Sequence, residues 1–359
     1  MRDLFKIARP RPVEEPTVHL QDLSADTLRQ LLSAVRTYRA SRADAPPLAI
    51  TCRGRVDGAG AQALGILSAF LWAGATGCRY LHTPFATMDH ARGSQTEWAA
   101  QWEPFFNLGR DEARVPKNAV VKPAEAFIRD PDACVKAGAV LAARSFHWSA
   151  FQTPKALHRL RRRLRTKYHA AAKCGLALHR GPVGALTVAV HVRRGDVTAD
   201  HPRRGHFYTH DAPILNTIAS VRAVAATMGR AVHVNLFSEG PPDMFNAFAA
   251  AGCRLHLDGD PFEAFHNMVS ADILVQAKSS FSYVAGLISA GAVLHERYVG
   301  RSGTPFYRPA PGWIVRDGSG ALAVDELHRQ LDMARCRQHA GSWHVRPLRR
   351  LRRWLRSGW

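Results

Sequence analysis

Between residues 186 and 295, short runs rich in Val, Ile and Leu alternate with helix-forming stretches, and this alternation constrains the fold more than any other feature. Strands are expected at 186–192, 231–237, 253–257, 272–276 and 292–295, with helices at 212–228, 243–250, 262–269 and 280–290. Strands separated by helices in this way pair in parallel, and Val-rich strands suit a sheet covered on both faces. The expected unit is a doubly wound α/β sheet.

A shorter version of the same pattern lies upstream. A strand over 48–52 runs into Gly54, Gly58 and Gly60, then a helix over 62–75 and a strand over 79–82. The 359 residues suit two domains of about 150 residues each. The expectation is an α/β chain of two Rossmann-like domains with a cleft between them. An N-terminal extension over 1–45 holds one helical stretch at 25–38, and the first domain with its linking basic helix covers 46–173. The second domain covers 183–334, its last helix near 325–334, and a basic amphipathic tail covers 335–359. Residues 84–150 give no topology, and the aromatic stretch 98–106 reads as packing.

The net charge of +20 would suit a nucleic-acid partner if it were spread over a working face. It is not spread. Residues 154–173 carry eight Lys/Arg and no acid, and so do residues 335–359, leaving 33 basic against 29 acidic residues elsewhere. No nucleic-acid partner is expected. The six cysteines, at 52, 78, 134, 174, 253 and 336, form no CxxC pair and read as reduced, mostly buried thiols of a cytoplasmic protein. The apolar stretch 63–78 reads as a buried helix, and the first residues lack the pattern of a secretory signal.

The chemistry concentrates where apolar strands end. Val188–Val197 closes an apolar strand with His191, Arg193, Arg194, Gly195 and Asp196, at the carboxyl edge where open α/β sheets bind ligands. Arg offers a planar, permanently charged fork for phosphate oxygens; the plain alternative is a turn held by an Arg–Asp pair. Further on, Lys278-Ser279-Ser280 joins a strand to a helix. Serines there cap the helix, and its free N–H groups and dipole suit an anionic phosphate. An arginine fork and a helix N-terminus on one edge suggest a diphosphate. There is no GxxxxGK[ST] loop and no GxGxxG after a strand, so nucleotide hydrolysis and dinucleotide redox chemistry lose ground.

The segment HVRRGDV, followed about 85 residues later by SSFSYVAGL, resembles the fucosyltransferase superfamily of α1,2-, α1,6- and protein O-fucosyltransferases. The likeness covers 186–197 and 258–290. It is weaker at Gly58-Ala59-Gly60-Ala61-Gln62, similar to the GGxGNQ opening of the α1,2-type enzymes but with Ala61 in place of Asn. The resemblance implies a GT-B-like fold that holds GDP-fucose mainly in its second domain. It implies that His191 contacts the guanine base or ribose, that Arg193 binds phosphate with Arg194 as a supporting charge, and that Ser279, Ser280 and Phe281 line the diphosphate. An acidic residue reading the guanine edge is expected among Asp258, Asp260 and Glu263, with Asp260 preferred. Ser238 and Glu239 are further donor-site candidates, against an ordinary helix-start turn.

The implied function is inverting transfer of fucose from GDP-fucose to a glycan hydroxyl, with no metal. Arg193 meets the charge growing on the leaving diphosphate, and Asp196 is the nearest sequence candidate for the base. Two alternatives stand beside it: a GT-B transferase using another nucleotide sugar, and a non-enzymatic basic protein that binds a polyanion or membrane. In residues 347–359 Leu348, Leu351, Trp354 and Leu355 share one helical face with arginines around the rest. That pattern suits peripheral contact with an anionic membrane at its inner, cytoplasmic face, or else a solvated tail.

Overall fold

The computed structural model describes residues 20–42, 46–91, 93–147, 153–202, 204–299 and 305–343. The first unit runs α1 (Ala25–Ser41), β1 (Ala49–Cys52), α2 (Ala59–Thr76), β2 (Arg79–Tyr80), α3 (Gln95–Phe106), β3 (Val121–Pro123), α4 (Ala124–Arg129), α5 (Pro131–Lys136), β4 (Val140–Ala143) and α6 (Pro154–His169). Its sheet has the order β2-β1-β4-β3 with every pair parallel. Ser24 caps α1 by accepting from the Thr27 amide, and Leu28, Leu31, Val35 and Tyr38 bury its inner face. The helix expected within an N-terminal extension is thus part of the first core.

Helix α2 is apolar on every side. By length and composition it could cross a membrane, but 15 of its 18 residues are buried as the core of this unit. The aromatic stretch read as packing is itself a helix, α3, capped by Ser94 and running through Pro104. Its Trp102 ring lies 4.1 Å from that of Phe262 and its Phe105 ring 5.7 Å from that of Phe265, both residues of the second unit. One apolar cluster therefore runs through both units.

The second unit runs β5 (Leu186–His191), α7 (Asp211–Thr227), β6 (Val232–Ser238), α8 (Asn246–Ala250), β7 (Arg254–Leu257), α9 (Pro261–Ser270), β8 (Ile273–Val275), α10 (Ser280–Ile288), β9 (Ala292–Glu296), the hairpin β10 (Tyr298–Val299) and β11 (Pro305–Tyr307), β12 (Ile314–Arg316) and α11 (Val324–Trp343). Its six-stranded sheet has the order β12-β9-β8-β5-β6-β7, all parallel. The chain leaves β5 outward through β6 and β7, then returns to the other side of β5 for β8, β9 and β12. The strand order therefore reverses between β5 and β8, which opens a crevice at their carboxyl ends. The expected architecture of two parallel Rossmann-like units is present, which is the GT-B-like fold class.

Helix α6 explains the first basic run. Leu157, Leu160, Leu164 and Tyr168 bury one face, and the arginines reach into both units. Arg165 donates to the carbonyls of Ile288, at 2.7 Å, and Ser289; Arg161 donates to those of Leu287, at 3.4 Å, and Pro311, at 3.0 Å. The last carbonyls of a helix lack intrahelical partners, so these guanidiniums close the C-terminal end of α10. On the first unit, Arg163 and Lys167 both pair with Glu112. The tail expected to form an amphipathic helix over 347–359 lies outside the described residues; α11 extends beyond the expected end near 334.

Candidate functional site

Parallel register brings the motif residues to one edge. Val190 pairs with Val275 and His191 with Phe237, so the segments after β5, β6 and β8 leave the sheet side by side. Ser238 pairs with Leu257, which adds the Asp258–Asp260 segment to the row. The ends of β5 and β8 flank the crevice where the strand order reverses.

Arg193 is half-buried there. Its Nε and Nη2 meet the two Asp196 oxygens at 3.3 and 2.9 Å, and its guanidinium lies over the Phe207 ring at 4.9 Å. Arg204 donates to the same carboxylate at 2.5 Å. Burial alone would raise the Asp196 carboxyl, but Arg193 and Arg204 more than reverse that and hold it below the usual carboxylate range. Gly195, at φ +69, takes the left-handed turn between them; a Cβ there would stand 2.9 Å from the Glu239 carboxylate. The turn held by an Arg–Asp pair is real, and it presents Arg193 in a fixed pose.

Arg194 is built differently. It is 3% exposed, stacks on Tyr208 at 4.0 Å, and spends its donors on Asp211 at 2.6 Å and on the Thr209 and Arg193 carbonyls. The structure gives it a bracing part at the start of α7 where the resemblance implied a supporting phosphate charge. His191 contributes an imidazole whose Nδ1 is buried and has no hydrogen-bond partner, with the Phe281 ring centred 5.9 Å away. Burial, and then the charge of Arg193, pushes it down to about 3, so it is neutral at ordinary pH.

Ser279 is the N-cap of α10 and accepts from the Phe281 amide at 3.2 Å, as the capping reading holds. Ser280, half-buried at the first helical position, makes no hydrogen bond through its hydroxyl. Lys278 pairs with Glu296 at 3.0 Å and donates to the Tyr208 carbonyl. The other candidates are largely engaged. The Ser238 hydroxyl donates to the Val192 carbonyl at 2.7 Å, and Glu239 is exposed. Asp260 caps α9 through the Phe262 amide at 2.7 Å, Asp258 accepts from the Gly240 amide, and Glu263 meets His179 at 2.6 Å. Among the described residues no group of three or more His, Cys, Asp and Glu is placed to hold a metal ion.

The sequence did not point to Arg204 or Phe207. Arg204 lies only eight positions beyond Asp196, which is the one signal that could have found it. From the other side, the start of α2 abuts the start of α10, with Gly60 against the Ser280–Phe281 backbone.

No family model matches the chain, and no curated protein sequence does. Solved structures similar to it include POFUT1 in complex with GDP, 13% identical, over 69% of this chain and 96% of that one, with a TM-score of 0.36. The fucosyltransferase NodZ from Bradyrhizobium is 12% identical over 68% and 94%, with a TM-score of 0.35. A mutant of Arabidopsis thaliana FUT1 in complex with GDP is 11% identical over 75% and 77%, with a TM-score of 0.33.

Proposed function

We propose that the protein is an inverting glycosyltransferase that binds GDP-fucose in the crevice between β5 and β8 and passes the sugar to a glycan hydroxyl. The observation that carries the reading is that a fixed arginine fork, Arg193, and the Ser279-capped start of α10 follow neighbouring parallel strands where the strand order reverses. That pairing suits a diphosphate: the guanidinium takes its oxygens and the helix start offers free N–H groups. As the bond to the sugar breaks, charge grows on the β-phosphate, and a cation already held in place by Asp196 stabilises that state without reorganising. The unpartnered His191 Nδ1 beside Phe281 supports a base or ribose contact on the same edge. The same reading keeps the enzyme on the cytoplasmic side of a membrane, touching it through residues 335–359, with a lipid-linked glycan as acceptor.

The test is thermal melting of the full chain with GDP, UDP and ADP at equal concentration. Ligand at about 100 times its Kd stabilises by about 2.7 kcal/mol, so GDP is expected to raise Tm well above the other two. Equal shifts for all three would remove the guanine assignment.

A further inference from the structure

Transfer to a hydroxyl needs a group that takes the hydroxyl proton, and the donor residues above do not supply one. Two carboxylates near the crevice are already gripped by arginines. Asp196 is gripped by Arg193 and Arg204, and in the first unit Asp57 is gripped through both oxygens by Arg55, with Nε at 3.0 Å. His191 is half-buried beside Arg193, its Nδ1 shut off from solvent, and resists protonation.

His90 is different. It lies between β2 and α3 of the first unit, on the stretch that passes the start of α2. Its neighbour Asp89 pins that stretch by donating its amide to the Val56 carbonyl at 2.6 Å, and His90 itself sits at φ +61, a backbone few residues other than glycine adopt. Its ring lies against the N-cap of α2: a Cβ on Gly58 would be 3.7 Å from the imidazole Cδ2. The side chain is exposed and makes no hydrogen bond with any described residue. Gly60, two residues after Gly58, packs on the Ser280–Phe281 backbone, so His90 stands near the mouth of the crevice, and it is the smallest of the influences that hold the Asp196 carboxyl low. On its own unit the neighbouring charges in sequence are Asp89 beside it and, next to Gly58, Asp57 with its partner Arg55; from the second unit Asp196 acts on it, itself paired with Arg193 and Arg204.

We propose that His90 is the proton acceptor for the incoming hydroxyl, presented by the first unit opposite Arg193. The inference rests on the GDP-sugar reading. The hydroxyl oxygen forms its bond to the anomeric carbon as the bond from that carbon to the β-phosphate oxygen breaks. The leaving electron pair stays on the phosphate, facing Arg193, and the hydroxyl proton passes to the His90 imidazole and then to water. Asp196 serves both sides: it fixes the arginine and stabilises the imidazolium. Histidine is the side chain that most often serves as a general base.

The experiment follows GDP release from GDP-fucose across pH, with water as the acceptor, in the full chain and in His90→Gln. The variant is expected to keep wild-type protection by GDP in thermal melting, to lose about 10²- to 10⁴-fold in kcat with KM unchanged, and to recover part of the rate with added imidazole. Its pH profile is expected to lose the acidic limb of the wild type. A His90→Gln protein with wild-type kcat and profile overturns the base while leaving the donor site standing. A wild type that is neither protected by GDP nor able to release it overturns the GDP-sugar reading itself.

Discussion

Gly60 and Phe281 touch backbone to backbone: a Cβ on Gly60 would lie 2.5 Å from the Phe281 amide nitrogen. The contact joins the first turn of α2 to the first turn of α10, so the two units meet through helix starts at the mouth of the crevice. Backbone cannot rotate away as a flexible side chain can. Gly60→Ala is expected to cost about 1–3 kcal/mol and to weaken GDP protection by displacing the start of α10. Denaturant midpoints and GDP melting shifts measure both; a Gly60→Ala protein as stable as the wild type would show that the units are free to part.

The basic face of α6 divides into used and unused charges. Arg165 closes the end of α10, whereas Arg159 and Arg162 are exposed. Arg165→Ala leaves half-buried carbonyls short of a donor and is expected to destabilise by about 1–3 kcal/mol. Arg159→Ala and Arg162→Ala are expected to stay within about 0.5 kcal/mol. Equal losses for all three in chemical denaturation would remove the capping role.

What the sequence disclosed follows from how local each signal is. The strands and helices from 186 to 295 were legible because each carries its own period and its own Val, Ile or Leu. The strand β4, with its run Val-Leu-Ala-Ala, and the short β3 and β12 hold too few residues for a period, and only pairing with neighbours defines them. Helix α3 was obscured by Pro104 and adjacent aromatics, and its meaning lies in Phe262 and Phe265, far away in sequence. The site divides in the same way. Arg193, Asp196, Ser279 and Ser280 stand together because they end neighbouring parallel strands. The engagement of Arg194, Ser238 and Glu263, and the approach of His90, depend on folds of the chain that no local pattern encodes.

The half-buried imidazole of His191 gives stability a pH dependence with a definite sign. An unfolded histidine takes its proton as pH falls through about 6.5, while the folded one resists down to about 3. The unfolded state therefore binds more protons across that window, and stability is full above it and lost as pH falls, by at most about 1.4 kcal/mol per pH unit. Asp196, held low, adds a further loss as pH drops below the ordinary carboxylate range. His191→Asn is expected to flatten the slope between pH 6 and 4 in denaturation curves; an unchanged slope would show that His191 is solvated.

Nucleotide release from GDP-fucose, GDP-mannose, UDP-glucose and UDP-N-acetylglucosamine, in the wild type and in Arg193→Ala, decides whether Arg193 serves a GDP-fucose site. Release from GDP-fucose is expected above the other donors, with a fall of at least about 100-fold in an Arg193→Ala protein that still melts cooperatively, as for the loss of one preorganised charge donor. Release from a UDP-sugar in preference, or wild-type turnover in a folded Arg193→Ala protein, would contradict it.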